Sequence, residues 1–330
     1  ADGDPAEGGA PRPLPGSAAH AVPAGPSLAR ISWIGFRTIV IREYGRIMRI
    51  WGQTLVPSAV TATLYLVIFG SLLGRRINAP GGFDYEQYLV PGLIMMAIIT
   101  NSYGNVVSSF FGAKFGKHIE ELLVSPLPNG LIVAGYTVGG VIRGSLVALI
   151  VTAVSLCFTP MPVHHLGAII AAALLTSVAV SLAGFINAIF ARNFEQMNIV
   201  PVFVLSPLTY FGVVCYSVSS LPHWARGVSL GNPILYMINA FRYGFLGVSD
   251  ISVPVAFALM VALAVVLPLT VRLLLNSTAS SFEHQTMRRR EAAIAEQLLR
   301  TSTGWRLDLP PTLKTEYAQA SSGFAYAIVD

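Results

Sequence analysis

The chain has 330 residues, of which 54% are hydrophobic and 11% charged, and its formal net charge is +5. Soluble domains carry about a quarter charged residues, so this composition excludes an ordinary soluble domain and predicts an integral membrane protein. The positive charges form no dense patch with base-stacking aromatic residues, which argues against a nucleic-acid partner. Cys157 and Cys215 have neither CxxC nor metal-ligand spacing.

The first segments of the chain differ sharply in composition. Residues 1–29 are rich in Ala, Pro and Gly, which predicts a disordered N-terminal extension. Residues 30–50 alternate isoleucines with arginines and include Trp33 and Phe36, a pattern typical of an amphipathic helix in the plane of a membrane interface. The alternative is the ordinary basic flank of a first membrane span. Both interpretations place this segment on the cytoplasmic side.

Residues 51–275 contain six continuous apolar runs, each near or above the ~20 residues that cross a bilayer as a helix. We place the spans at 53–74, 86–110, 131–157, 166–190, 197–217 and 254–275. The runs lack the alternation of a transmembrane barrel, so the predicted fold class is an all-α integral membrane protein. In the fifth span, Pro201 and Pro207 free backbone carbonyls and permit bending.

Lys and Arg in the loops set the predicted orientation. They concentrate before the first span, in the second and fourth loops and after the last span, whereas Arg75, Arg76, Arg226 and Arg242 lie on the opposite side. The balance predicts that both termini are cytoplasmic. Residues 276–330 then form a polar cytoplasmic tail, in which residues 283–300 have the pattern of a helix.

The segment before the sixth span, residues 218–247, is apolar but interrupted by Pro222 and by the Gly231-Asn232-Pro233 break. Neither half is long enough to cross a bilayer. The pattern predicts two short re-entrant helices that enter and leave the same side of the membrane. Irregular backbone at that depth requires burial by protein or a wet cavity. The alternative is a further pair of spans.

Polar residues mark one face of the second span. Asn101, Asn105 and Ser109 recur every four residues, which places them on one side of a helix, and polar groups in lipid turn inward. Two interpretations stay open: the face lines a translocation path, or it joins helices through hydrogen bonds.

The third span carries glycines and a charge. Gly135/Gly139 and Gly140/Gly144 are two GxxxG pairs, and close helix packing is the favoured interpretation. Arg143 lies deep in the span and has no evident carboxylate partner in the other spans, which makes it a candidate site residue or a structural one.

The sequence contains no HExxH, GxSxG or clustered carboxylates, so we expect no catalytic residue, metal site or cofactor site in this chain. The segment "GAKFGKH" (112–118) lacks the spacing and the Ser or Thr of a Walker loop, so we expect the chain to bind no ATP itself.

Several long stretches resemble the permease subunits of type-2 ATP-binding-cassette exporters, a group that includes nodulation-factor, daunorubicin-resistance and polysaccharide export permeases. The likeness is closest to bacterial inner-membrane permeases of that family and runs from about Arg37 to about Leu275. The stretches that carry it are "RIMRIWGQTLVPSAVTATLYLVIFGSLLG", "YLVPGLIMMAIITNSYGNVVSSFFGAKF", "IEELLVSPLP", "SPLTYFGVVCYSVSSLP" and "NPILYMINAFRYGFLG".

The resemblance implies six spans, an interfacial helix before them and a re-entrant pair before the sixth. It implies a homodimer in which each permease docks on a separate ATPase subunit that binds ATP and Mg²⁺. It also implies that the second and fifth spans line the translocation path. The residues assigned to that path are Asn101, Asn105, Ser109, Arg143 and Tyr210.

The resemblance identifies residues 117–128 as a coupling helix that fits a cleft in the ATPase. The residues assigned to ATPase coupling are Lys117, Ile119, Glu120, Glu121, Leu122, Leu123 and Pro126. Without the resemblance, a solvated inner loop whose charges only enforce topology is an equal alternative.

The predicted function is the transmembrane permease subunit of an ATP-driven exporter in the bacterial inner membrane, in contact with membrane lipids. Its expected substrate is a lipid, a lipid-linked glycan or a hydrophobic drug. The alternative is a secondary transporter driven by an ion gradient. Such transporters usually carry acidic or histidine relay groups in mid-membrane, and the predicted spans have essentially no central Asp or Glu.

Overall fold

The computed structural model describes residues 28–73, 83–116, 119, 127–212 and 222–300. Within these ranges all regular secondary structure is helical, as the continuous apolar runs predicted. The helices are α1 (Leu28–Arg49), α2 (Trp51–Tyr65), α3 (Tyr85–Phe115), α4 (Asn129–Leu156), α5 (Leu166–Phe190), α6 (Phe194–Val200), α7 (Ser206–Phe211), α8 (His223–Leu230), α9 (Pro233–Leu246) and α10 (Val253–Arg300). A π-helical segment, Leu66–Leu73, extends α2, and another, Pro201–Leu205, joins α6 to α7.

The bundle is built around α3. In its most apolar stretch 72% of the residues are buried, compared with 22% in α2 and 11% in α10. The central helix packs against α4, α5 and α9, while α1 packs on α4, and α10 packs on α5 and α9. The least buried helices therefore lie at the edge of the bundle, where a membrane protein meets lipid or another chain.

Five helical stretches among the described residues are long and apolar enough to cross a membrane. They are Trp51–Gly70, Tyr85–Phe115, Asn129–Leu156, Leu166–Phe190 and Val253–Ser277. These stretches agree closely with five of the six predicted spans. The remaining predicted span, 197–217, corresponds to α6, the second π-helical segment and α7, and its residues after 212 lie outside the described ranges. The six-span topology therefore stays a prediction.

Two short helices, α8 and α9, occupy most of the predicted re-entrant segment. Asn232 separates them, and its side chain accepts a hydrogen bond from the backbone N–H of Ile234 at 3.0 Å, which caps the start of α9. The helix ends at Leu246 and is capped by Gly247, whose φ of 72° is the left-handed conformation that glycine adopts without strain. The helix–break–helix arrangement matches the sequence pattern, and re-entry into the membrane stays a prediction.

The structure describes part of the two terminal segments for which the sequence made predictions. The predicted disordered extension falls, up to residue 27, outside the described residues. After the last predicted span, α10 continues to Arg300 without interruption, so the first part of the polar tail is helical. Residues 301–330 lie outside the described ranges.

Candidate functional site

The predicted coupling segment, residues 117–128, follows the end of α3. Of the residues assigned to ATPase coupling, the structure describes Ile119. Its side chain is buried in an apolar cluster with residues of α3 and α4. The assigned residues outside the described ranges are Lys117, Glu120, Glu121, Leu122, Leu123 and Pro126. At the other end, Leu127 packs on α1 so closely that a Cβ at Gly35 would lie 3.0 Å from its Cγ. Both described parts of the segment therefore contact the helical bundle.

A buried carboxylate from α1 lies against the end of α3. Glu43 is 1% exposed and accepts hydrogen bonds from Oγ of Ser109 and, at 3.5 Å, from Nδ2 of Asn105. It also pairs with Arg46 at 2.9 Å. Arg46 in turn donates a hydrogen bond to Oδ1 of Asn105 at 2.8 Å. These four residues form what we call the Glu43 cluster, in which the buried carboxylate is paired and hydrogen-bonded as burial requires, while Nε of Arg46 has no hydrogen-bond partner among the described residues.

Glycines in α4 give the neighbouring helices room to approach. A Cβ at Gly135 would lie 2.6 Å from a side-chain carbon of α1, and one at Gly139 would lie 2.9 Å from Cβ of Glu43. The second pair, Gly140 and Gly144, faces α3 and α5 in the same way. The two GxxxG pairs thus serve different neighbours, and the first admits α1, a helix that lies outside the predicted spans.

A cavity of about 270 Å³ lies between α2, α3 and α4. Its wall combines apolar and polar side chains. The polar lining residues include Gln53, Thr54, Ser58, Thr100, Asn101 and Arg143, and the apolar ones include Leu93 and Met96. We call this space the α2–α4 cavity. One wall of the cavity is formed by α2, which after α10 is the least buried of the five apolar stretches. The cavity therefore lies towards the edge of the bundle.

Two of the predicted path residues meet at this cavity. Nδ2 of Asn101 donates hydrogen bonds to Oγ of Ser58 at 3.2 Å and to the carbonyl of Ala97 at 3.0 Å. Nε of Arg143 is buried and has no hydrogen-bond partner among the described residues. The hydroxyl of Tyr210 lies 3.4 Å from that of Tyr65, which lines the cavity.

The five predicted path residues therefore separate into two groups. Asn101 and Arg143 line the α2–α4 cavity, with Tyr210 beside it. Asn105 and Ser109 instead belong to the Glu43 cluster, so in a single chain they join helices. Their assignment to a translocation path stays a prediction.

A second polar cluster lies near the start of α3. The guanidinium carbon of Arg242, a residue of α9 that is 1% exposed, lies 3.9 Å from the ring centroid of Tyr88. Nη1 of Arg242 donates a hydrogen bond to the Tyr88 hydroxyl at 2.9 Å, and that hydroxyl contacts Asp250 at 3.3 Å. Tyr88 is about 25 Å along α3 from Asn105, so the two clusters fasten opposite ends of the central helix.

Lys114, in the last turn of α3, caps the end of α5. Its Nζ donates hydrogen bonds to the carbonyls of Ile189 and, at 2.8 Å, of Ala191. The last carbonyls of a helix have no partner within it, and a cation at that end also complements the helix dipole. Lys114 therefore fixes the turn between α5 and α6 to the helix that leads into the coupling segment.

Replacing Lys114 by Met is expected to lower the free energy of unfolding by about 1.5 kcal/mol, because the variant keeps the aliphatic stem but removes the cationic donor. The measurement is an SDS-unfolding titration of the purified protein. The matched control is Arg192→Met, a nearby exposed cation, for which we expect a change within about 0.5 kcal/mol. Equal effects of the two substitutions would contradict the capping role.

Sequence reasoning missed the residues that complete these sites. Glu43 lies four residues from both Ile39 and Ile47, which are buried, so an acidic residue on the apolar stripe of α1 was a readable signal. Tyr65 and Tyr88 gave no such signal, because their partners come from distant parts of the chain.

Comparison with known proteins places this architecture in a family. The model of the ABC-2 type transporter family matches residues 35–246, a range that contains the Glu43 cluster and the α2–α4 cavity. The chain is 51% identical over 238 residues to the inner membrane transport permease YadH of Escherichia coli strain K12, covering 72% of this chain and 93% of that protein. It is 22% identical over 240 residues to nodulation protein J of Rhizobium leguminosarum bv. trifolii, covering 71% and 87% respectively. The chain belongs to the ABC-2 type transporter family.

Proposed function

We propose that this chain is the transmembrane permease subunit of an ATP-driven exporter. The observation that carries the proposal is membership of the ABC-2 type transporter family, together with 51% identity to a protein described as an inner membrane transport permease. By that likeness the chain resides in the bacterial inner membrane, and the loop charges argue for cytoplasmic termini.

The energy source is a separate ATP-binding-cassette subunit that holds ATP and Mg²⁺. This subunit binds residues 117–128 and moves them when ATP binds to it. An equilibrium between two states shifts only by the difference in affinity for those states, and ATP binding to the partner supplies that difference. The burial of Ile119 and the contact of Leu127 with Gly35 support the proposal, because motion of the segment would then reach α1, α3 and α4.

The translocation path lies between two copies of the chain. The π-helical segment before α7 exposes 56% of Val202 and 73% of Phe203, and Tyr210 is 53% exposed. Large apolar groups uncovered on one chain favour a site where another chain or lipid packs. In the proposed homodimer the second copy faces this segment, and the substrate is an amphipathic lipid, lipid-linked glycan or hydrophobic drug.

The test is reconstitution of the chain with a candidate ATP-binding-cassette subunit from the same organism, followed by an ATPase assay in liposomes. The double variant Glu120→Ala/Glu121→Ala is expected to weaken complex formation at least about tenfold, since truncating charged residues central to an interface costs about 2 kcal/mol. Asp84→Ala is the matched control, because Asp84 is exposed before the opposite end of α3 and its side chain makes no capping hydrogen bond.

If the double substitution left both complex formation and ATPase activity unchanged, the assignment of residues 117–128 to coupling would be wrong. Transport by the purified chain without any ATPase would favour the alternative, a transporter driven by an ion gradient. Glu43 is a buried carboxylate of the kind such transporters use, but Arg46 holds it in an ion pair at 2.9 Å, which favours a structural role.

A further inference from the structure

The α2–α4 cavity contains an uncompensated positive charge. Arg143 lies fourteen residues after the start of α4 and thirteen before its end, which is the middle of a bilayer-length helix. Within the described ranges no carboxylate forms a salt bridge with it, and its buried Nε lacks a hydrogen-bond partner. A cation at this depth is costly, and such residues pair with other groups or contact substrates.

The rest of the cavity wall suits an anion that is attached to an apolar chain. None of the described residues that line it is acidic. Asn101 and Thr100 place amide and hydroxyl groups in the same wall as Arg143, while Leu93 and Met96 provide apolar surface. An oxyanion accepts the charge-assisted hydrogen bonds of a guanidinium, and an alkyl chain matches the apolar side.

The size of the cavity limits what enters it. A volume of about 270 Å³ is just below the range of about 300–1,000 Å³ that holds whole small-molecule ligands. It accommodates a headgroup rather than a complete amphiphile. The contact between the hydroxyls of Tyr65 and Tyr210 lies beside the cavity and leads towards α7, in the predicted fifth span.

We propose that Arg143 in the α2–α4 cavity binds the anionic headgroup, a phosphate or carboxylate, of an amphipathic substrate. The proposal rests on the proposed function, since it names the chemical class of what the permease carries. It predicts selection by charge: an anionic amphiphile binds, and a zwitterionic one with the same chains does not.

The test measures binding to the full chain in detergent, with no ATPase present. The probes are a short-chain phosphatidylglycerol and a phosphatidylcholine of equal chain length, each below its micelle concentration, and inorganic phosphate. Arg143→Gln is expected to weaken phosphatidylglycerol binding at least about tenfold, because it removes the charge from the hydrogen bonds to the headgroup. Arg143→Lys is expected to retain part of the affinity, and Arg226→Gln, at an exposed arginine of α8, is the control.

A second variant keeps the charge and removes the space. Met96 lines the cavity, and Met96→Trp places a larger side chain in that space. The variant is expected to abolish phosphatidylglycerol binding, while its thermal unfolding midpoint stays near that of the parent protein. It therefore tests the proposal even if Arg143→Gln fails to fold. Competition by inorganic phosphate alone would identify a free-anion site and overturn the amphiphile assignment.

Equal binding of both lipids, or wild-type affinity in Arg143→Gln, would also overturn it. These results are distinct from failure of the proposed function, because binding is measured without nucleotide or partner. If ATPase coupling failed while charge-selective binding persisted, the headgroup site would stand and the energy source would be wrong.

Discussion

Replacing Glu43 by Ala is expected to lower the free energy of unfolding by about 3 kcal/mol, because it removes the charged acceptor of two buried hydrogen bonds, from Ser109 and Asn105. The substitution removes the acceptor of the buried Ser109 hydroxyl, whereas Arg46, whose side chain is partly exposed, keeps Asn105 as an acceptor. An unsatisfied buried donor loses its interaction with water and gains nothing in return. The measurement is an SDS-unfolding titration of the purified protein, with helix content followed by circular dichroism.

Two further variants separate charge from shape. Glu43→Gln preserves an acceptor oxygen of similar size, so we expect it to recover about half of the lost stability, since the charge-assisted part of each hydrogen bond is absent. Arg49→Gln, at an exposed position near the end of α1, is the control and is expected to change stability by less than about 0.5 kcal/mol. An unfolding curve of Glu43→Ala that coincides with that of the control would refute the role of the Glu43 cluster.

Gly184→Ala is expected to destabilise the protein by about 2 kcal/mol, in the range found for overpacked cores. A Cβ at this position in α5 would lie 2.8 Å from the backbone carbonyl oxygen of Tyr103 and 3.0 Å from a methyl carbon of Val107. A backbone oxygen cannot rotate away as a flexible side chain does, so α3 and α5 must separate. Unfolding titrations measure the loss.

The matched control is Gly104→Ala on the facing helix α3. A Cβ there meets nothing within 4 Å, and alanine in a helix interior is favoured over glycine by about 0.5–1 kcal/mol. We therefore expect opposite signs from the same chemical change in the two helices. A stabilising or neutral effect of Gly184→Ala would show that the contact between α3 and α5 is looser than the geometry indicates.

The spans were predictable because the length of a continuous apolar run in the sequence directly indicates the length of the helix that crosses the bilayer. The predicted limits 166–190 coincide with Leu166–Phe190, and 131–157 differs from Asn129–Leu156 by two residues at most. The prediction ended the second span at 110, whereas α3 continues to Phe115. Lys114 looked like loop in the sequence, but its charge is satisfied by the end of α5, so the helix continues through it.

The sequence predicted one side of each candidate site but not the residues that complete it. The spacing of Asn101, Asn105 and Ser109 indicated a face that turns inward, and these residues do contact other helices. The spacing did not indicate their partners, because Glu43 lies 62 residues before Asn105 and belongs to a helix predicted to lie in the membrane interface. Pairings over such distances follow from tertiary packing, which local periodicity does not encode.

The position of Glu43 also bears on the order in which the molecule is assembled. Synthesis proceeds from the N-terminus, so α1 leaves the ribosome before the helices that bury its carboxylate exist. Glu43 must remain hydrated until α3 and the Gly139 surface of α4 have both entered the bilayer. Docking of α1 therefore follows the insertion of α3 and α4, and its arrival covers the polar face of α3 that carries Asn105 and Ser109.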